Sequence, residues 1–193
     1  MPRVVPEYKE VARNKIIKAA ASAFSKKGYY DSSMNDIAKE VGVTKATLYL
    51  YFKSKKELLK AISLSENQTL REMLQESFES HHYLDSLRGI FRMKMDLLKG
   101  FLRTGFEMIG LSSHDEDIRK TIRDERRKDL DALQTHLQDQ MNKGTIKNDV
   151  EAGVLAHLIL ALYWEMATQL LAGFEKSKVY ETWSKSLALI LEK

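Results

Sequence analysis

Residues 34–52 read M-N-D-I-A-K-E-V-G-V-T-K-A-T-L-Y-L-Y-F. Ser33 precedes this stretch and Asp36 follows three residues later, a capping-box-like start for a helix over 34–41. Gly42 supplies a stop, and Thr44 is an N-cap for a second short helix over 45–52. Two short helices joined by Gly42-Val43-Thr44 have the layout of a helix-turn-helix, whose second helix enters a DNA major groove by its N-terminal end. Ile37, Ala38, Val41, Val43 and Leu48 supply the small core between them. Three aromatic rings fall within residues 49–52, and Lys45, Lys53, Lys55 and Lys56 surround them. Rings ordinarily go inside and lysines stay wet. A phosphate-lined groove accommodates both, because tyrosine keeps an apolar body on the protein and points a hydroxyl at phosphate while lysine supplies charge. Half-core packing of Tyr49 and Tyr51 is the plainer alternative, and the two roles are compatible.

Working outward, a helix starting between Glu7 and Lys9 has Val11, Ile16, Ala19, Ala20, Ala23 and Phe24 as its apolar face. It stops at Gly28 after Lys26 and Lys27, cations suited to a last turn. Ser54 caps a fourth helix over 55–79, with Glu57 at its third position. Amphipathic periodicity then predicts helices over 84–103, 105–111, 115–143, 149–172 and 177–191. Gly100, Gly105 and Gly110 mark the middle region as the place for broken helices. Pro2 and Pro6 are the only prolines, strand-like alternation is nearly absent, and no internal repeat stands out. The expected fold class is all-α.

The 193 residues are 44% hydrophobic and 30% charged, the composition of a soluble globular protein. There is no Cys, which excludes a disulfide framework, a cysteine zinc site and a cysteine nucleophile. The N-terminus, M-P-R-V-V-P-E-Y-K-E, has no apolar run, so no signal peptide is expected and the location is read as cytoplasmic. Residues 1–60 carry 13 Lys+Arg against 6 Asp+Glu, whereas residues 61–193 carry 18 against 21. A basic first third on a mildly acidic remainder suits a polyanionic partner. There is no P-loop, no dinucleotide glycine fingerprint and no H-E-x-x-H, so no enzyme, cofactor or metal site is expected. His81-His82 with Asp85, and H-D-E-D at 114–117, lack a second convergent cluster. Asp115, Glu116 and Asp117 read better as acidic residues at a helix N-terminus.

Residues 16–59 resemble the DNA-binding domain of the TetR family of transcriptional regulators. The likeness runs through A-F-x-x-x-G-Y, the I-A-x-x-x-G-V turn, T-L-Y-x-Y-F and K-x-x-L-L. The resemblance implies a helix-turn-helix domain over 1–54 and an effector-binding and dimerisation domain over 55–193. It implies that Lys45, Ala46 and Thr47 reach base edges beside the capping Thr44. It also implies that Ser33, Tyr49, Tyr51 and Lys55 hold phosphates, and that Phe24, Ile37, Leu48 and Phe52 are packing residues. Ala46 departs from a frequent glycine and Leu50 from a frequent aromatic or His, which bears on operator sequence. The Ala46 methyl is suited to touch a thymine methyl.

The resemblance further implies a homodimeric repressor, released from a palindromic double-stranded operator by a small hydrophobic effector. The dimer is expected to form through the last two helices, from the apolar run at 152–174 and the helix after it. That run is long enough for a membrane span, but His157, Glu165, Thr168 and Gln169 interrupt it, so no membrane partner is expected. Residues 90–110 gather Met and aromatic side chains of the kind that line adaptable pockets. Phe91, Met95, Phe106, Trp164 and Glu165 are the expected lining. An architectural DNA-binding protein with the same head and no effector is the alternative function.

Overall fold

A computed structural model describes residues 6–78, 83–147 and 149–192. Among the described residues the helices are α1 (Pro6–Lys27), α2 (Met34–Val41), α3 (Lys45–Tyr51), α4 (Lys55–Phe78), α5 (Tyr83–Ser112), α6 (Glu116–Asn142), α7 (Ala152–Leu171) and α8 (Lys176–Leu191). All regular structure among the described residues is helical. Expected and observed boundaries agree to within a few residues, with one exception. The break expected near Gly105 is absent, and α5 runs unbroken over 30 residues. Glycine costs a helix only about 1 kcal/mol relative to alanine and keeps its N–H donor, so it weakens a helix without ending it.

The chain divides into two compact units. The first comprises residues up to Asn67 together with Leu98–Ile122; the second comprises Gln68–Leu97 and Arg123–Lys193. This division does not follow the expected cut at residue 54. Leu58, Leu59 and Ile62 of α4 are fully buried in the core of the first unit, as are Met108 and Ile118, so these stretches pack with the head.

Phe24 on α1, Ile37 on α2, Leu48 on α3 and Phe52 just after α3 form the centre of that core, each at most 1% exposed. Burial of such side chains contributes about 1.5–3 kcal/mol apiece. Val11, expected on the apolar face of α1, is 65% exposed. It precedes Ile16, the first buried residue described on α1, and Arg13 covers the core nearby with its guanidinium 5.0 Å from the Phe52 ring centroid. Gly28 and Gly42 both adopt positive φ, at 87° and 79°, where a side chain would be strained. Each closes its helix: the Gly28 N–H donates to the Phe24 carbonyl and the Gly42 N–H to that of Ala38.

In the second unit α7 packs along α8. Ala152, Leu155, Ala156, Ile159, Tyr163, Met166 and Ala167 form the buried stripe of α7 at helical spacing. Val179, Trp183, Leu187 and Leu191 form that of α8. By length and composition α7 could cross a membrane, but its buried stripe is the interior face of a packed helix. Val154, Leu158 and Leu171 on α7 and Leu189 on α8 remain exposed.

Candidate nucleic-acid interface

Local chemistry fixes the helix-turn-helix. The Ser33 hydroxyl accepts the Asp36 backbone N–H, and the Asp36 carboxylate accepts the Ser33 N–H, a complete capping box. Hydrogen bonds from Ser33 and from Lys27 hold the Asp36 carboxyl far below the usual carboxylate range. Thr44 caps α3, its hydroxyl accepting the Thr47 N–H at 3.1 Å and lying 2.8 Å from the Thr47 hydroxyl. Leu48, fully buried, anchors α3 to α2 and fixes which way the helix faces.

The opposite side of α3 is left to solvent. Lys45 and Ala46 are exposed, Tyr49 is 42% exposed and Leu50 is 83% exposed. The Lys45 ammonium lies 5.9 Å from the Tyr49 ring centroid, so charge and ring form one surface. Thr47 and Tyr51 are half-buried, and the Tyr51 ring packs against the core. In the sequence Leu50 stands out only as a departure from a common pattern. Its position two residues past the buried Leu48 is the signal that it faces outward.

Lys55 sits differently from its expected role at a phosphate. Its ammonium donates to the carbonyl oxygens of Tyr29 at 2.6 Å, Ser32 at 2.9 Å and Tyr30 at 3.1 Å. It also lies 4.4 Å from the centroid of the Tyr29 ring. An ammonium has three donors, and all three close the loop between α1 and α2. The same loop is tied to α5, where the Glu107 carboxylate accepts the Tyr29 N–H at 2.9 Å. Ser32 donates to the Gly28 carbonyl within the loop at 2.6 Å. Burial pushes the Tyr29 phenol above its ordinary range, while Tyr30 next to it is 68% exposed.

Asp115 and Asp117 serve the N-terminus of α6 and its tie to α4. Asp115 accepts the N–H groups of Asp117 and Ile118, and Lys56 at 2.9 Å, while Asp117 accepts Lys60 at 2.7 Å. His81 and His82 lie outside the described residues, as do the side chains of Phe91 and Met95. Phe106 is half-buried in the first unit. Trp164 and Glu165 belong to the second. Trp164 is half-buried beneath the Arg126 guanidinium, whereas Glu165 is exposed and accepts the Gln169 amide at 2.8 Å. An exposed carboxylate engaged on its own helix surface does not line a cavity from that position.

A capped, core-anchored second helix presenting Lys45, Ala46, Tyr49 and Leu50 to solvent defines a helix-turn-helix DNA-binding protein. The sequence profile described as "Bacterial regulatory proteins, tetR family" matches residues 16–62. Two curated relatives extend the likeness beyond the head. One is the HTH-type transcriptional regulator UidR of Escherichia coli (strain K12), 24% identical over 78% of this chain and 76% of that one. The other is the fatty acid metabolism regulator protein of Bacillus subtilis (strain 168), 27% identical over 79% of this chain and 80% of that one. The crystal structure of the transcriptional regulator FadR from Bacillus subtilis in complex with stearoyl-CoA superposes with a TM-score of 0.74. It is 22% identical and covers 92% of this chain and 97% of that one, a likeness of fold. Residues 16–62 thus carry the DNA-binding head of TetR-family regulators, and the two relatives that match over most of the chain are transcriptional regulators.

Proposed function

We propose that the chain acts as a homodimeric repressor that leaves a palindromic operator when a hydrophobic small molecule binds its second unit. The observation that carries the DNA half is the exposed row Lys45, Ala46, Tyr49 and Leu50 on a helix whose other side is fixed by Leu48. None of these four is needed to fill the core, and their chemistry suits a groove: charge and hydroxyl toward phosphate, methyl groups toward thymine. On this reading Lys45, Ala46 and Thr47 read bases, Thr44 positions them, and Ser33, Tyr49 and Tyr51 approach phosphates. Lys55 acts one step back, holding the loop that ends in Ser33.

Dimerisation is supported by the exposed apolar residues of the last two helices: Val154, Leu158 and Leu171 on α7 and Leu189, 74% exposed, on α8. Residues of this kind gathered on adjoining helices suit a partner surface. A dimer presents two reading helices about 34–36 Å apart, which matches a palindromic site. The effector half is supported by the apolar composition of α5 and α7 and by the likeness to a regulator crystallised with stearoyl-CoA. Effector binding would act by differential affinity for two spacings of the reading heads.

The test is fluorescence anisotropy of the full chain on two labelled duplexes across a salt series. One duplex carries the chain's own upstream region and the other a scramble of it. Tight binding to the first alone is expected; equal, steeply salt-dependent binding to both would favour the architectural alternative.

A further inference from the structure

In the second unit, α4, α6 and α7 bring together a charged group whose signs do not balance. Arg71 on α4 lies 2.6 Å from Asp129 and 3.0 Å from Glu125, both on α6. Lys128 adds a second cation 2.8 Å from Glu125, which is only 4% exposed. Two carboxylates thus already have two cations. Arg126 is a third cation, half-buried beside them, and among the described residues its guanidinium makes no hydrogen bond and no ion pair. It lies over the Trp164 ring, 4.5 Å from the centroid, and Tyr163 meets that ring edge-on at 5.8 Å. We propose that Arg126, seated on Trp164, receives the anionic head group, a carboxylate or phosphate, of the molecule that regulates this protein.

A half-buried guanidinium without a protein acceptor keeps only part of its hydration, and an incoming anion supplies the missing partners through forked, charge-assisted hydrogen bonds. Burial indeed pushes the Arg126 guanidinium below its ordinary range, despite the attraction of Asp129. Seated over the Trp164 ring, the guanidinium has already given up part of its freedom before an anion arrives. The covered indole face is at the same time closed to a quaternary ammonium, the usual ligand of an open aromatic face. This inference rests on the effector reading above and narrows it from any hydrophobic molecule to an apolar molecule with one negative end.

The test uses the full chain and three probes of equal chain length, decanoate, decyltrimethylammonium and decanol, each below its micelle concentration. Binding is measured by calorimetry and DNA release by anisotropy. Decanoate is expected to bind at least tenfold tighter than the other two, and Arg126→Gln to weaken it about 10- to 100-fold. Arg126→Lys, which keeps the charge but loses the fork, is expected to fall between. Arg126→Met is expected to raise the melting temperature of the ligand-free protein, because it removes a charge that the fold leaves without an acceptor. Equal binding of decanol, preference for the ammonium, failure of all three probes to bind, or decanoate binding that survives Arg126→Gln would each overturn the proposal. So would a fall of several degrees with Arg126→Met, which would mean that the fold itself compensates Arg126. Decanoate binding that depends on Arg126 but releases no DNA would keep the site and overturn the repressor-release reading instead.

Discussion

The Lys55 ammonium donates to the Tyr29 carbonyl oxygen at 2.6 Å and covers the Tyr29 ring at 4.4 Å, so one side chain at the start of α4 holds the loop that leads into the reading motif. Lys55→Ala removes this bond and those to Tyr30 and Ser32. The expected cost is about 1–3 kcal/mol, seen as a melting temperature lower by several degrees. The slope of log affinity against log salt should stay unchanged. A slope shallower by about 0.9 would return Lys55 to a phosphate.

Leu48 and Leu50 lie two residues apart and face opposite ways. Leu48→Ala, at a fully buried position, should cost about 2–5 kcal/mol in urea unfolding. Leu50→Ala, at 83% exposure, should change stability by less than about 0.5 kcal/mol. It should nonetheless alter affinity for the operator. Equal stability losses in the two variants would show that α3 is rotated from the orientation described.

Gly42 has φ of +79° with no atom within 4 Å of where a Cβ would sit, so Gly42→Ala tests backbone strain alone. About 1–2 kcal/mol should be lost, measured by thermal unfolding. Gly28→Ala carries the same backbone strain and also brings a methyl to 2.7 Å from the end of Arg103. That end is flexible, so the second loss should be similar to the first or modestly larger.

Acid should loosen the first unit. Asp36, Asp115 and Asp117 all have carboxyls held below their ordinary range, chiefly by hydrogen bonds from Ser33, Lys56 and Lys60 respectively. A depressed folded-state value means that the stabilisation is fully present above the unfolded value of about 3.9 and is lost as pH falls below it. Urea midpoints should therefore be flat from pH 7 to about 5 and decline below about pH 4. Asp36→Asn should make the decline shallower. These groups are solvent-facing, so added salt should shrink the effect.

The dimer reading predicts that Leu158→Arg, at a position 42% exposed on α7, shifts the chain to monomer at micromolar concentration in sedimentation velocity. Operator affinity should fall with it by tenfold or more, because one head alone reads a half-site. An unchanged sedimentation coefficient would move the interface elsewhere.

The helix-turn-helix was legible because its signals are local. Ser33, Gly42 and Thr44 act within a few residues of themselves, and each adopts the conformation that its chemistry predicts. The burial of Phe24, Ile37, Leu48 and Phe52 followed from spacing and from the resemblance. Long-range commitments were not legible. Nothing near Lys55 in the chain announces that carbonyls 23 to 26 residues upstream engage its ammonium, and its expected place at a phosphate comes from the family resemblance alone. Likewise Gly100, Gly105 and Gly110 read as interruptions, because propensity is local whereas the continuity of α5 depends on its surroundings. Arg126 carries no distinguishing signal within R-R-K at 126–128, where three similar cations meet three different environments.

The exposure of Leu50 has a consequence for how such a protein diversifies. Its neighbours on the same face, Lys45, Ala46 and Tyr49, are also free of core duties, while Leu48 between them carries the packing. Substitutions on that face are therefore close to neutral for folding. A duplicated copy of the chain could drift to a new target one residue at a time, never passing through an unfolded ancestor.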